Sequence, residues 1–220
     1  MSVPAAPASV APVLDPIDRY SEVLFGLFMV LTFTGTLSVA TAGREDVRVM
    51  LVAAIGCNAA WGFVDAVMYV LRNVVARGRQ ARFVRQVQAD DTPHRVRDRI
   101  AAELGPLAGA LDAAQLDRIH TWLQTQPAPP RRIRVTRQDL RGALGVFLLV
   151  FGSTFPVVLP FLFFDDLRTA MRLSGAVAIV MLFGCGYAWG HHAGGWPLRA
   201  GALMVATGAV IQAVVIALGG

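Results

Sequence analysis

The residues able to do chemistry in this chain are few, and most of them sit in apolar surroundings. Asp65 lies inside an apolar run, 49–71, two turns before Arg72. A carboxylate at the centre of a membrane helix costs roughly 2.5–3.5 kcal/mol on insertion scales, so Asp65 must face protein or water. Asn58, Trp61, Asp65 and Met68 share one broad face of a helix with 3.6 residues per turn. An amide oxygen, a carboxylate and a thioether on one stripe form a donor set for a partly dehydrated transition metal. Two other roles fit Asp65 as well: a hydrogen bond to a neighbouring helix, or a pair with an arginine near the end of the run. Glu22 follows Asp18 and Arg19 at the start of the preceding apolar run, where the helix dipole favours a negative charge. Thr32, Thr34, Thr36, Ser38 and Thr41 in that run can line a polar path, bond their own helix or join helices together.

Pro156 and Pro160, in the stretch 154-TFPVVLP-160, each remove a backbone donor and free a carbonyl one turn back. Two prolines four apart kink a helix on one face. In transporters, broken helices of this kind expose carbonyls to ions at a cavity; elsewhere they are bends for packing. Gly186, Gly190 and Gly194 repeat every four residues, a small-residue ladder that allows close helix approach within a bundle or across a dimer. His191 and His192 are adjacent, so their side chains diverge on a helix and suit solvent better than a shared metal. Cys57 and Cys185 lie in apolar blocks and are expected as small buried hydrophobes, not as a disulfide. The chain has no HExxH, nucleophile elbow, P-loop or CxxC pair, so it is not expected to be an enzyme.

The elements that must position these residues follow from composition. Of 220 residues, 55% are hydrophobic and 16% charged, with a mean hydropathy of +0.54. That excludes a disordered tail, a collagen-like fibre or a disulfide-stapled scaffold. The apolar residues gather in five segments long enough to cross a hydrocarbon core of roughly 30 Å: 23–42, 49–71, 142–164, 173–190 and 198–218. No strand alternation competes with them. The expected fold is an all-α integral membrane protein of five transmembrane helices, with a small helical cytoplasmic insert between helices 2 and 3. Its parts are a disordered lead (1–18), the first two membrane helices (19–75), an Arg-rich insert (76–138) and the last three membrane helices (139–220). The Ala/Pro-rich lead has no basic n-region and is not expected to be a signal peptide.

All 20 basic residues are Arg, and net charge is +5. Fourteen of the Arg lie between Arg72 and Arg141, against seven acids, so this connection is expected in the cytoplasm. The N-terminus is then cytoplasmic and the C-terminus outside, in a bacterial inner (plasma) membrane. Within the insert, 79–88 continues the second span. Thr92-Pro93 opens a helix to about Leu104, and Gly105-Pro106 breaks it. The stretch 112–123 is amphipathic, with Leu116, Ile119, Trp122 and Leu123 on one side. Some 50 residues are expected to make a cap without a full core. Arg131, Arg132, Arg134, Arg137 and Arg141 are expected to touch anionic lipid, each worth about 1 kcal/mol near the surface, and not nucleic acid.

The order of features resembles the vacuolar iron transporter family over residues 19–220. The resemblance rests on five spans with a polar insert after the second, and on EVLFG at Glu22 to Gly26, FPVVLP in the third span, GYAWG at Gly186 to Gly190 and a Gly-rich last span starting at RAGAL. It implies a homodimer whose subunits export divalent iron or manganese from the cytoplasm in exchange for protons, along a path between the subunits. No resident cofactor is implied; the metal is cargo. Glu22 matches the family's acidic residue four before the first-span glycine, Gly26. The family's metal-binding Asp falls on Met29, its Glu on Asn58, and its Met on Ala66, beside Asp65. With Asp65 and Met68 from the stripe on the second span, the expected binding set is Glu22, Met29, Asn58, Asp65 and Met68, with Glu22 or Asp65 exchanging the proton. The insert carries Glu103 alone where the family often repeats Glu ligands. The alternative is a diverged member without metal transport, acting as a membrane scaffold or moving another solute.

Overall fold

The computed structural model describes residues 14–35 and 44–218, and every regular element among them is helical. In chain order these are α1 (Pro16–Gly35), α2 (Arg44–Ala89), α3 (Pro93–Leu104), a 3₁₀ turn (Gly105–Ala110), α4 (Ala113–Thr125), α5 (Arg137–Phe163), α6 (Leu167–His192) and α7 (Pro197–Ala217). Four of them, α2, α5, α6 and α7, are long and apolar enough to cross a membrane. The chain is thus an α-helical membrane protein. The first expected span is helical as far as Gly35, and its residues 36–42 lie outside the described residues, as does the lead as far as residue 13. Helix α1 starts inside the expected lead because Asp15 precedes Pro16: the Asp15 carboxylate accepts from the Ile17 N–H at 2.9 Å and its carbonyl from the Arg19 N–H.

The chain divides into two compact units, one up to Val70 and from Arg137 onward, the other Leu71–Thr136. In the first, Leu24, Leu27 and Val30 of α1 pack with Ala54 of α2, Val157 and Val158 of α5, and Ala178 and Leu182 of α6. Apolar side chains also cover the outside: Phe63, Val180, Leu203 and Val210 are all at least 60% exposed, a surface suited to lipid and not to water. Because lipid is as apolar as the core, close van der Waals fit has to hold the helices together.

That fit is close along the whole face between α6 and α7. A Cβ on Gly186 would meet Met204 Cγ at 2.7 Å and the Ala200 carbonyl at 2.9 Å; one on Gly190 would meet Ala200 Cβ at 2.6 Å. Gly201 and Gly208 answer from α7, against the Phe183 ring and Leu182. Two rungs of the glycine ladder therefore close a hairpin within the chain. The third, Gly194, has φ +70° and makes the turn: its N–H bonds the His191 carbonyl and the Gly195 N–H bonds the Gly190 carbonyl at 3.0 Å, a Schellman ending. At the other end of α6, the Asp166 carboxylate caps the helix through the Thr169 N–H at 2.9 Å. This hydrogen bonding from Thr169 holds the Asp166 carboxyl below its usual range.

The second unit has a core of its own, in contrast to the expected cap: Val87 of α2, Val96 and Ile100 of α3, and Leu116 and Leu123 of α4 are buried together, with Phe83, Val84 and Ile119 against them. Trp122 does not join them and is 60% exposed. Leu116, Ile119 and Leu123 fall at three- and four-residue spacing, whereas Trp122 stands off the centre of that stripe. Asp112 and Gln115 form the capping box of α4. Thr92 precedes α3 as expected, but its side chain does not cap the helix and accepts instead from Arg95. Arg97 joins α3 to α4 through both oxygens of Asp117, at 2.7 and 2.5 Å, and this bond holds the Asp117 carboxyl below its ordinary range.

Gly186→Leu is expected to destabilise the purified protein by about 1–3 kcal/mol through overpacking against α7. Gly184→Ala, where an added Cβ meets nothing within 4 Å, is expected to be neutral or to stabilise by about 0.5–1 kcal/mol. Detergent-titrated unfolding of the two variants checks the pair.

Candidate functional site

Helices α1, α2 and α5 meet at a polar seam. Asn58 of α2 is completely buried, and so is Thr154 of α5. The Asn58 side-chain amide donates to the Gly26 carbonyl of α1 at 3.2 Å and to the Thr154 hydroxyl. The Gly26 carbonyl can only accept, so the amide nitrogen must face it and Oδ1 must face away. That Oδ1 is buried with no hydrogen-bond partner. A buried acceptor left in this state costs roughly 1–3 kcal/mol.

Glycines let the helices come this close. A Cβ on Gly26 would run into Ser153 Oγ and would stand 2.5 Å from the Val150 carbonyl of α5. Ser153 returns its own proton to that carbonyl at 2.7 Å, which keeps the hydroxyl tucked against α5. On α2, a Cβ on Gly62 would meet the Phe147 carbonyl of α5 at 3.3 Å, and a Cβ on Gly142 of α5 would strike the Tyr69 ring. The seam therefore lies where small residues on α1, α2 and α5 coincide in height.

The expected ligands divide around it. Asn58 lies at the seam. Glu22 and Met29, both half-buried, flank Gly26 by one turn on either side of α1. Asp65, two turns beyond Asn58 on α2, is half-buried, and neither it nor Glu22 stands without a partner. Met68 and Trp61 are 46% and 45% exposed, so they sit at the margin of the stripe; Trp61 leans edge-on against Phe25 of α1. Among the described residues no three His, Cys, Asp or Glu side chains gather in a metal-binding group. A cation here would need amide, carboxylate and thioether donors together. Pro156 and Pro160 lie inside α5, which continues through both, and between them the Val157 carbonyl accepts from Ser174 Oγ of α6 at 2.7 Å.

A second polar place was less visible from the residues alone. A cavity of about 330 Å³ opens among α1, α5, α6 and α7, walled by Leu31, Phe161, Ile179 and Leu182. Thr34, Ser174 and Gln212 supply its polar atoms. Both hydroxyls donate to backbone carbonyls, of Leu31 and Val157, whereas Gln212 Oε1 is buried without a partner. Gln212 is the sole side-chain amide of α7, and that was its signal in the sequence. Gly26, Ser153 and Thr154 gave no comparable signal, because small residues in an apolar run look like filler until the facing helix is known.

No family model matches the chain, and it matches no curated protein.

Gly26→Ala is expected to lower stability by about 1–3 kcal/mol, since α1 must move off α5. Adding Ser153→Ala should restore part of the loss by clearing one of the two obstructing atoms. A double-mutant cycle of unfolding free energies in detergent measures this coupling; strictly additive losses would contradict the close approach.

Proposed function

We propose that this chain is a transporter of divalent metal cations, iron or manganese, that exports them from the cytoplasm in exchange for protons. Its membrane part would be five helices, with the N-terminus cytoplasmic, the C-terminus outside and α1 completing the set beside α2, α5, α6 and α7. The observation that carries the reading is Asn58: a fully buried amide whose Oδ1 has no hydrogen-bond partner, at a junction of three helices inside the membrane part. An unmatched oxygen in an apolar interior is the kind of group a partly dehydrated cation can use. Asp65 further along α2 and Glu22 on α1 provide carboxylates on the same two helices, with Met29 and Met68 as soft donors. A carboxylate in a membrane helix can also bind a proton when the metal leaves, which couples the two ions.

A second reading rests on the other cavity. Its apolar walls and the buried, unmatched Gln212 Oε1 suit a small amphipathic solute carrying a hydrogen-bond donor. On this reading the chain moves or holds such a solute without transporting metal.

Flux into proteoliposomes decides between them. The first reading expects Fe²⁺ and Mn²⁺ uptake faster than in empty liposomes and accelerated by an acidic lumen. Asp65→Ala should abolish uptake, and Asn58→Leu should slow it, in protein that still unfolds cooperatively. Metal flux no different from empty liposomes would remove the reading. Metal flux that ignores Asp65→Ala would remove Asp65 from the path, and flux of a small alcohol or amide that falls with Gln212→Leu in the absence of metal flux is what the second reading expects.

A further inference from the structure

Unit Leu71–Thr136 contains a groove that neither reading uses. Its volume is about 360 Å³, and it runs between α2 and the segment 130–133. The segment lies antiparallel to α2 and is held at both ends by arginines. Arg85 Nη1 donates to the Pro130 carbonyl at 2.9 Å, and Arg77 Nη2 donates to the Arg134 carbonyl at 3.3 Å. Between these ties the segment passes over Gly78, where a Cβ would touch Ile133 at 3.9 Å.

The result is a concentration of positive charge. Arg79, Arg82 and Arg85 fall at three-residue spacing along one face of α2, and Arg131 faces them from the segment. No acid lines the groove. Among the described residues, none of these four arginines pairs with a carboxylate, although the same unit does pair Arg97 with Asp117 and Arg99 with Asp90. Four like charges gathered around one hollow repel one another, and the anchoring of the segment holds them there. Guanidinium groups offer planar forks of N–H donors that match the oxygens of a phosphate two at a time. Arg85 is already oriented by its bond to Pro130, so little freedom is left to lose on binding.

We propose that the Arg79–Arg82–Arg85–Arg131 groove is a binding site for a phosphate-bearing anion. The chemistry is a phosphomonoester or diphosphate carrying about two negative charges, too small for a groove specific to nucleic acid. Two sources can present it: a lipid headgroup or a soluble phosphate compound. Arg79 and Arg82 lie roughly 10–15 Å along α2 beyond Arg72, where the apolar run ends, which leaves both sources in play.

The test uses the full chain in nanodiscs of neutral lipid. One arm titrates inorganic pyrophosphate by calorimetry. The other replaces part of the lipid with phosphatidic acid and reads lipid retention by native mass spectrometry, with phosphatidylserine as a phosphodiester comparison. The expected result is binding in at least one arm that weakens about tenfold or more in Arg79→Gln/Arg82→Gln and as salt rises. Arg131→Gln should weaken it from the opposite wall. Arg95→Gln/Arg118→Gln removes the same charge elsewhere in the unit and should leave binding intact. Pyrophosphate binding alone identifies a soluble ligand; selective retention of phosphatidic acid alone identifies a headgroup. No binding in either arm overturns the site, and so does equal weakening by the Arg95/Arg118 variant, which would reduce the effect to net charge. Helicity and thermal unfolding of each variant separate loss of site from loss of fold. Because metal flux does not enter the measurement, failure here leaves the transport reading standing, and failure of transport leaves this site standing.

Discussion

Asn58 bonds the Gly26 carbonyl at a fully buried place, closed to bulk solvent. That single contact explains much of what surrounds it. A carbonyl of α1 already serves its own helix, so a second bond to it requires the neighbouring side chain to reach the backbone itself. Reaching the backbone requires α1 without a Cβ at that height, which is Gly26, and α5 with only short side chains opposite, which are Ser153 and Thr154. Gly62 and Gly142 keep α2 and α5 close on the far side of the contact. In a soluble protein the hydrophobic effect would press the helices together whatever the detail. In lipid it does not, and the order of small residues has to do that work.

The two units follow different rules for the same reason. Between α6 and α7 almost everything depends on shape: glycines against ring edges and carbonyls, with no polar tie needed. In unit Leu71–Thr136 the ordinary devices of soluble proteins return. A buried stripe of Val, Ile and Leu forms the core, a capping box starts α4, and a bidentate arginine–carboxylate pair joins α3 to α4.

Much of the fold was legible because length and hydropathy dominate in a membrane. The segments 142–164, 173–190 and 198–218 correspond to α5, α6 and α7, and the continuation of the second span into 79–88 is the outer part of one 46-residue helix. The start of α3 at Pro93, after Thr92, was visible as well. What was not legible depends on pairing between distant residues. Gly186 and Gly190 were a ladder with two possible partners, and only the position of Ala200 and Gly201 assigns them to the hairpin. The insert's core was underestimated because its residues come from three helices, each with too few apolar positions to suggest one. At the candidate site, Asn58 and Asp65 stood out as polar residues in an apolar run. Their difference in burial did not, because it depends on where α5 crosses α2.

The α6–α7 hairpin bears on how the molecule is made. Its connection is four residues long, ends in a glycine-built turn and leads into a second helix begun by Pro197. At synthesis rates of about 5–20 residues per second, α7 is complete within seconds of α6. The two helices can therefore pair as they leave the insertion machinery, with their glycine faces already matched. The two helices would then join the bundle as one preassembled piece, docking as a hairpin against α1 and α5.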